Sequence, residues 1–394
     1  MKTYRINDIC EINPKTAIEL NYHDYISFIP MNAVSVDGKI DTTNKIIPAG
    51  CIKNYSVFQE GDILFAKITP CMENGKGCIA DKLKNGYGAG STEFIVLRSK
   101  QELVIQKWLH LFLSQKVFRL YCQQHMTGSA GQRRVPPKFL ANCMIPIPSL
   151  SEQKRIVDRI EELFSQLDAS VAELKTTKER LKVYRQAVLK EAFLKFDGSI
   201  EKTISSVCEN IVDCPHSTPK WAHKGKLCLR TTNFKPGYLD LSEKNYVSEE
   251  TFCERISRLA PKPGDVLFSR EGAILGIACI IPDGLEVCMG QRMMLLRPSK
   301  DLLNKYLMYY LNSPKARTLI IENVGGTASP HINVGDIKQF TIPIIPFAQQ
   351  QSVVAKIESR LSICNSIEKT VDTALRQAEA LRQSILKKAF EGGL

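Results

Sequence analysis

A long helical pattern occurs twice in this chain of 394 residues, once at its midpoint and once at its end. The first copy begins "LSEQKRIVDRIEELFSQLDASVAEL" at residues 150–174, and the second reads "FAQQQSVVAKIESRLSICNSIEKTV" from residue 347. A shift of 197 residues superimposes the two copies, and it also places "MIPIP" at 144–148 on "TIPII" at 341–345. A repeat of this length predicts two structurally similar halves.

The segments before each helix repeat as well. "GDILFAK" at 61–67 resembles "GDVLFSR" at 264–270, and "KWLHLFLSQ" at 107–115 resembles "KYLMYYLNS" at 305–313. The shift drifts between 197 and 203 residues, so insertions fall inside the halves while the helices keep their length. We therefore predict four segments: globular domains at 1–148 and 198–345, and helices at 149–197 and 346–394.

The apolar positions of both helices alternate at spacings of three and four, which is the heptad seam of a coiled coil. The predicted seam consists of Ile160, Leu167, Leu174, Leu181 and Val188 in the first helix, and Ile357, Cys364, Val371, Ala378 and Ile385 in the second. Ser149 and Glu152 have capping-box spacing, and Asp197-Gly198 is predicted to end the first helix. Pro346 stands where Ser149 would be repeated.

We expect the two helices to pair as an antiparallel coiled coil, because a globular domain lies between them in sequence. The alternative is two helices that each pack on their own domain. Antiparallel pairing predicts pseudo-twofold symmetry, with about 45 residues of helix reaching roughly 65 Å. Such geometry would suit a protein that reads a two-part DNA site, because the duplex is itself nearly twofold. Because the two domains differ in sequence, the expected target is asymmetric and interrupted, with halves at most about two helical turns apart.

Each globular domain reads as mixed α+β. Short β-type runs such as "DILFAKI", "EFIVLR", "DVLFSR" and "MMLLRP" precede a helical pattern near 102–123 or 301–321. The chain carries 53 Lys+Arg against 41 Asp+Glu, for a formal net charge of +12, which suits a polyanionic partner without requiring one. No signal peptide or membrane span is apparent, so we expect a cytoplasmic protein whose 13 cysteines are reduced.

The repeated blocks resemble the specificity subunit of type I restriction-modification enzymes. The resemblance is carried by "GDILFAK", "GDVLFSR", "IPIPSLSEQKRIVDRIEELFSQLD", "RQAVLKEAF" and "LRQSILKKAF", and it extends over essentially the whole chain. It implies two target-recognition domains and a non-catalytic role. It also implies double-stranded DNA, two methyltransferase subunits and restriction subunits as partners. S-adenosylmethionine, ATP and Mg²⁺ would then be used by those partners and not bound by this chain.

Motifs for catalysis are missing from the sequence. "INPK" at 12–15 and "VPPK" at 135–138 are not the Asn/Asp-Pro-Pro-aromatic tetrapeptide of an adenine methyltransferase, and "GYGAG" at 86–90 lacks dinucleotide-binding spacing. The ligand-type residues between Cys208 and Cys228 include no Cys-x2-Cys pair, so no metal site is predicted. We therefore expect no enzymatic activity, with no catalytic residues.

Polar residues that follow matching apolar strands are the candidates for DNA contact, since Arg and Gln read base edges and small hydroxyls hold phosphates. The loop "GSAGQRRVPP" at 128–137 is the strongest of these candidates in the first domain. The first-domain set is Lys67, Thr69, Asn74, Lys76, Ser91, Thr92, Ser129, Gln132, Arg133 and Arg134. The second-domain set is Arg230, Thr231, Ser269, Arg270, Gln291, Arg292, Thr327, Ser329, His331 and Asn333.

Two other functions fit the sequence. A coiled-coil adaptor would bind proteins and enrich no DNA sequence. A stand-alone DNA enzyme with dispersed active-site residues would cut or methylate DNA without partners.

Overall fold

The computed structural model describes residues 1–41, 45–194, 199–326 and 330–394. The fold is mixed α+β and divides into two compact units. Unit 1 consists of residues 1–174 and 373–394, and unit 2 consists of residues 175–372. Each unit therefore contains a globular domain and a part of both long helices.

Unit 1 contains two four-stranded sheets and one two-stranded sheet. Its strands are β1 (Lys2–Arg5), β2 (Cys10–Ile12), β3 (Tyr25–Ile29), β4 (Ile46–Pro48), β5 (Ser56–Gln59), β6 (Ile63–Ala66), β7 (Gly77–Ile79), β8 (Tyr87–Gly90), β9 (Phe94–Ser99) and β10 (Met144–Ile147). Its helices are α1 (Ile6–Ile9), α2 (Gln106–Leu113), α3 (Lys116–Gln124), α4 (Pro137–Asn142) and the first part of α5 (Leu150–Ala192). The strand orders are β2-β9-β6-β7, β4-β3-β8-β5 and β1-β10.

Unit 2 repeats this plan. Its strands are β11 (Ile200–Thr203), β12 (Cys208–Asp213), β13 (Trp221–Ala222), β14 (Lys226–Leu229), β15 (Phe234–Lys235), β16 (Tyr238–Leu239), β17 (Tyr246–Val247), β18 (Val266–Ser269), β19 (Ala278–Ile280), β20 (Val287–Met289), β21 (Met293–Pro298) and β22 (Thr341–Ile344). Its helices are α6 (Ile204–Val207), α7 (Glu249–Ile256), α8 (Asn304–Leu311), α9 (Pro314–Glu322), α10 (Val334–Gln339) and most of α11 (Phe347–Glu391). Its strand orders are β12-β21-β18-β19, β13-β17-β14-β20, β15-β16 and β11-β22.

The predicted internal repeat is confirmed element by element. The sheet β2-β9-β6-β7 corresponds to β12-β21-β18-β19, and the parallel pair β3·β8 corresponds to β14·β20. The differences are local. Strand β5 pairs with β8 in unit 1, whereas unit 2 carries α7 and the extra strands β13, β15 and β16. Unit 2 is therefore the same framework with different surface segments.

The single helix predicted near 102–123 is two helices, α2 and α3, and the one predicted near 301–321 is likewise α8 and α9. In unit 2 the break falls at Ser313-Pro314. The side chain of Ser313 accepts a hydrogen bond from the backbone N–H of Ala316, and Pro314 occupies the first turn of α9. Both residue types favour a new helix start over continuation of the old one.

The long helices run antiparallel in each unit, as predicted. In unit 1 the start of α5 lies beside the end of α11, since Arg382 forms an ion pair with Asp168 and Arg155 donates to the carbonyl of Leu394 at 2.8 Å. In unit 2 the pairing involves the other ends. Lys178 contacts Asp372 at 2.7 Å. Arg185 contacts Glu368 at 2.6 Å, and Arg360 contacts Glu191 at 2.6 Å.

The helix ends complete the two domain cores. In unit 1, Phe390 of α11 packs on Trp108 and Phe112, with ring centroids 4.5 and 5.3 Å away. In unit 2, Phe193 follows α5 and packs on Tyr306 and Tyr310 at 5.1 and 5.3 Å. Pairing of the helices and packing on a domain are thus not alternatives, because the same helices do both.

The predicted seam residues occupy the first position of each heptad and face inward. The apolar residue three positions later, at the fourth position, is often exposed. All ten predicted seam residues are buried or half-buried. In contrast, Tyr184, Ile367 and Leu381 at fourth positions are 47%, 40% and 51% exposed. The helix pair therefore keeps apolar side chains on its surface.

A buried glutamine fixes the start of each long helix to its domain. Gln153 accepts a hydrogen bond from the N–H of Ile105 at 2.9 Å and donates to the carbonyls of Leu103 and Pro148, each at 3.0 Å. Gln350 makes the same three bonds in unit 2. This role accounts for the glutamine in both helix-start motifs.

The predicted cap of α5 is present in part. The hydroxyl of Ser149 accepts from the N–H of Glu152 at 3.3 Å, while the Glu152 carboxylate binds Arg155 instead of closing the capping box. The predicted stop at Asp197-Gly198 lies outside the described residues.

Candidate nucleic-acid interface

Three segments meet at the end of β6 in unit 1. The N–H of Lys67 donates to Glu93 O at 2.9 Å, and the N–H of Val135 donates to Lys67 O at 2.9 Å. The N–H of Thr69 donates to Arg133 O at 3.0 Å. We call this meeting point, formed by residues 67–69, 91–93 and 127–135, the first junction. It brings together three of the loops that the sequence predicted separately.

An ion pair holds the first junction. The guanidinium of Arg134 donates to both carboxylate oxygens of Glu93, at 2.8 to 3.1 Å. These hydrogen bonds lower the pKa of Glu93 below its ordinary value. The ammonium of Lys67 donates to the carbonyl of Thr92 at 2.7 Å. The junction is therefore a fixed arrangement of charged groups on a partly exposed surface.

The remaining first-domain candidates lie around this junction or beside it. Ser91 accepts from the N–H of Glu93 at 3.2 Å, and the hydroxyl of Thr69 donates to Glu73 at 3.4 Å. Thr92, Ser129 and Gln132 are half-buried or exposed. Arg133 lies 3.9 Å from Glu73. Asn74 and Lys76 belong to the following turn, where the Lys76 ammonium donates to Met31 O at 2.9 Å.

The corresponding meeting point in unit 2 lies at the end of β18. The N–H of Arg270 donates to Arg292 O at 3.0 Å, and the N–H of Ile332 donates to Arg270 O at 2.9 Å. The N–H of Gly272 donates to Pro330 O at 2.9 Å. Residues 270–272, 290–292 and 330–332 form what we call the second junction. It corresponds to the first junction position by position.

The two junctions differ in where their charges stand. In unit 1 the segment before β9 supplies the acid Glu93, and the loop at 127–135 supplies the base Arg134. In unit 2 the segment before β21 supplies the base Arg292, whose nearest ion-pair contact is Glu271 at 3.8 Å. Arg292 also adopts φ +67, a strained conformation that is concentrated at functional sites. One framework thus presents two different polar surfaces.

Two second-domain candidates are corrected by the structure. Ser269 is fully buried, and its hydroxyl accepts from the N–H of Ile277 at 2.9 Å, so it has no surface with which to contact DNA. Arg270 is only 7% exposed and its guanidinium binds both oxygens of Asp213 at 2.7 and 2.8 Å. Both side chains support the second junction from within. Residue type and position after a strand predicted an outward orientation that the sheet does not give them.

The other second-domain candidates are dispersed. Arg230 and Thr231 follow β14, and the amide of Gln291 donates to His216 O at 2.8 Å. His331 pairs with Glu271 and Gly325 through backbone bridges. Asn333 precedes α10 and donates to Asp336 at 3.1 Å, as a helix-start residue does. Thr327 and Ser329 lie outside the described residues.

Sequence reasoning missed the acidic members of both junctions, Glu93 and Glu271, because it searched for donors to DNA. The available signal was the occurrence of an acid next to candidate hydroxyls in "STEF" and next to a candidate arginine in "SREG". A carboxylate accepts from the amino group of cytosine, so an acid also suits base reading.

Within the described part of the chain, no group of three or more His, Cys, Asp or Glu side chains is placed to hold a metal ion. Among the same residues, no helix combines the length and apolarity needed to cross a bilayer.

The sequence model of the type I restriction modification DNA specificity domain matches residues 1–180 and 223–377. This match covers most of the chain, and the chain therefore belongs to that family. The domain is the DNA-specificity domain of type I restriction-modification systems. The resemblance stated from the repeated blocks is confirmed.

Individual relatives agree. The EcoKI specificity subunit of Escherichia coli strain K12 is 26% identical over 403 residues, which cover 95% of this chain and 84% of that subunit. The EcoAI specificity subunit of Escherichia coli is 43% identical over 162 residues, but these span only 41% of this chain and 27% of that subunit.

Solved structures share the fold. A chain from a study of complex assembly and conformational transition in the type I R-M system matches with a TM-score of 0.78 at 22% identity, covering 100% of this chain and 98% of that one. The HsdS subunit from Thermoanaerobacter tengcongensis matches with a TM-score of 0.55 at 21% identity, covering 100% and 97%.

Proposed function

We propose that this chain selects a two-part, asymmetric sequence in double-stranded DNA, with one half read at each junction. The observation that carries the proposal is the repeated framework with relocated charges. Equivalent backbones would approach equivalent parts of two half-sites, and the different placement of acid and base would select different bases. A symmetric protein surface would favour a palindrome.

The chemistry is proposed to belong to partner subunits. Two methyltransferase subunits would methylate adenine with S-adenosylmethionine, and restriction subunits would use ATP and Mg²⁺. The exposed apolar side chains Val183, Tyr184, Ile363 and Ile367 on the helix pair of unit 2 support docking of such subunits, because a helix pair without a partner would gain by burying them.

The test is to map methylated adenines in DNA treated with the chain reconstituted with its methyltransferase subunits and S-adenosylmethionine. We expect one asymmetric sequence with an unspecified spacer. Arg134→Gln should relax selectivity in one half only, and Arg292→Gln in the other half only. Lys202→Ala, an exposed change away from both junctions, should alter neither. Methylation without a defined sequence, or loss of both halves in either junction variant, would contradict the proposal.

A further inference from the structure

One surface of unit 2 carries basic charge and an exposed aromatic ring outside the second junction. Residues 214–239 contain five Lys or Arg residues and no Asp or Glu. In the middle of this stretch stands Trp221, which is 43% exposed. The other tryptophan, Trp108, is fully buried in unit 1. We call residues 214–230 the basic segment.

Among the described residues, three cations of the basic segment form no ion pair. Lys226 is held by Glu286 at 2.6 Å. In contrast, Lys220, Lys224 and Arg230 are exposed, and none of them forms an ion pair within the described ranges. Uncompensated cations on one surface attract a polyanion, and phosphates are the natural partner in a DNA-specificity subunit.

Trp221 orients one of these cations. The guanidinium carbon of Arg230 lies 5.5 Å from the centre of the Trp221 ring, within the range of a cation–π interaction. An exposed arginine otherwise loses side-chain entropy when it binds, and a ring that holds the guanidinium in place reduces that loss.

Pairing with β17 fixes the backbone of the basic segment. Trp221 is paired with Val247 of β17, and Lys226 of β14 is paired with the same residue. The turn between them requires Gly225. This residue has φ +141°, and a Cβ added to it would lie 2.2 Å from Val247 O. The preceding loop is held by the buried Arg255, which donates to Ser217 O at 3.2 Å and to Gly290 O at 2.7 Å. Arg255 therefore connects the basic segment to residues 290–292 of the second junction.

Arg230 and the second junction lie at the same edge of a sheet. Strands β14 and β20 are parallel, and Leu229 is in register with Met289. The residues that follow, Arg230 on one strand and Gln291 and Arg292 on the other, therefore emerge side by side. A duplex in contact with the second junction would pass next to the basic segment.

We propose that the basic segment is a second DNA-contact site of unit 2, in which Trp221 is a positioning residue that holds Arg230 against a backbone phosphate next to the half-site. This inference rests on the proposed function. Trp221 lies between the two ranges that the family model matches, 1–180 and 223–377. Unit 1 has no strand equivalent to β13 among its described residues, and the added contact therefore belongs to one half-site only.

The test uses the full chain assembled with its methyltransferase subunits and a duplex that carries the mapped target. Arg230→Ala should reduce the slope of log affinity against log salt by about 1, the loss expected for one phosphate contact. Trp221→Ala should weaken binding roughly two- to fivefold, the size of an exposed cation–π interaction, and Trp221→Phe should restore most of the loss. Lys202→Ala, the matched exposed control, should leave the affinity and the slope unchanged.

Intrinsic fluorescence gives a separate readout. Target DNA should protect Trp221 from iodide quenching in the chain with its partners, and this protection should vanish in Trp221→Phe, where Trp108 remains as the buried reference. The partners' own tryptophans are removed by subtracting the signal of the Trp221→Phe complex. Unchanged affinity in Trp221→Ala together with unchanged quenching on DNA would overturn the inference. The proposed function would survive that result if the wild-type complex still methylated one defined sequence, and would fail if it did not.

Discussion

Replacing Gln350 by leucine should destabilise unit 2 selectively. The side chain is fully buried. Its amide accepts from Leu303 N–H at 2.8 Å and donates to Asp301 O and Ile345 O, each at 2.9 Å. Leucine has nearly the same size but no polar atoms, so one donor and two acceptors of the backbone would lose their partner.

The magnitude follows from these three groups. A buried polar group left without a partner costs about 1–3 kcal/mol. Only the bond to Ile345 is fully buried, and the other two are partly buried. The lower half of the range, about 1–2 kcal/mol for each group, therefore applies, which gives a loss of roughly 3–6 kcal/mol in the free energy of unfolding. The matched control is Gln349→Leu, because Gln349 is the exposed neighbour on the same turn and should change stability by less than about 0.5 kcal/mol.

The assay is urea denaturation of the full chain combined with amide hydrogen exchange. Two units need not unfold together, so exchange in peptides that contain Leu303 and Ile345 identifies the unit affected. Gln153→Leu should give the same loss in unit 1, with faster exchange at Ile105. Equal stability of Gln350→Leu and Gln349→Leu would refute the reasoning that this amide fastens α11 to its domain.

The other predictions concern the core, the junctions and the buried serine. Phe390→Ala should cost about 3–5 kcal/mol through lost packing on Trp108 and Phe112, whereas Phe347→Ala on the exposed first turn of α11 should cost little; thermal unfolding compares them. The Glu93 contribution to stability should be present above its unfolded pKa near 4.5 and be lost as pH falls through its lowered folded pKa, so a pH titration of unfolding should lose this acid-side dependence in Arg134→Gln. Ser269→Ala should lower stability without changing the methylated sequence, since its buried hydroxyl hydrogen-bonds to the backbone of Ile277, and a changed target in methylation mapping would contradict its assignment to the interior.

Several predicted features were accessible to sequence because they depend on local periodicity. The three-and-four spacing at Ile160, Leu163 and Leu167 appears directly in the sequence, and a shift of 197 residues reveals its copy. The strands "DILFAK" and "DVLFSR" were equally visible, because a short apolar run next to Gly-Asp has few alternative structures. Two of the three segments at each junction follow matching strands, whereas the third, 127–135 or 330–332, follows a helix, so this pattern did not imply that all three meet.

What the sequence could not decide was the orientation of individual side chains at the junctions. Lys67 and Arg270 occupy equivalent positions after β6 and β18, yet the Lys67 ammonium donates to Thr92 O while the Arg270 side chain is only 7% exposed and binds Asp213. All four residues of each strand are buried, so no alternation along the strand marks which side chain reaches the surface.

The sequence by itself determined the duplication, the two long amphipathic helices and the family, because each of these is written in the spacing of residues along one segment. Only the tertiary structure decided that each domain core is completed by both helices, that Glu93 joins Arg134, and that Arg230 lies against Trp221. The physical reason is that these contacts depend on how whole sheets and helices pack, which no local pattern records. The first two join residues far apart in sequence, and Trp221 meets Arg230 because β13 and β14 both pair with β17.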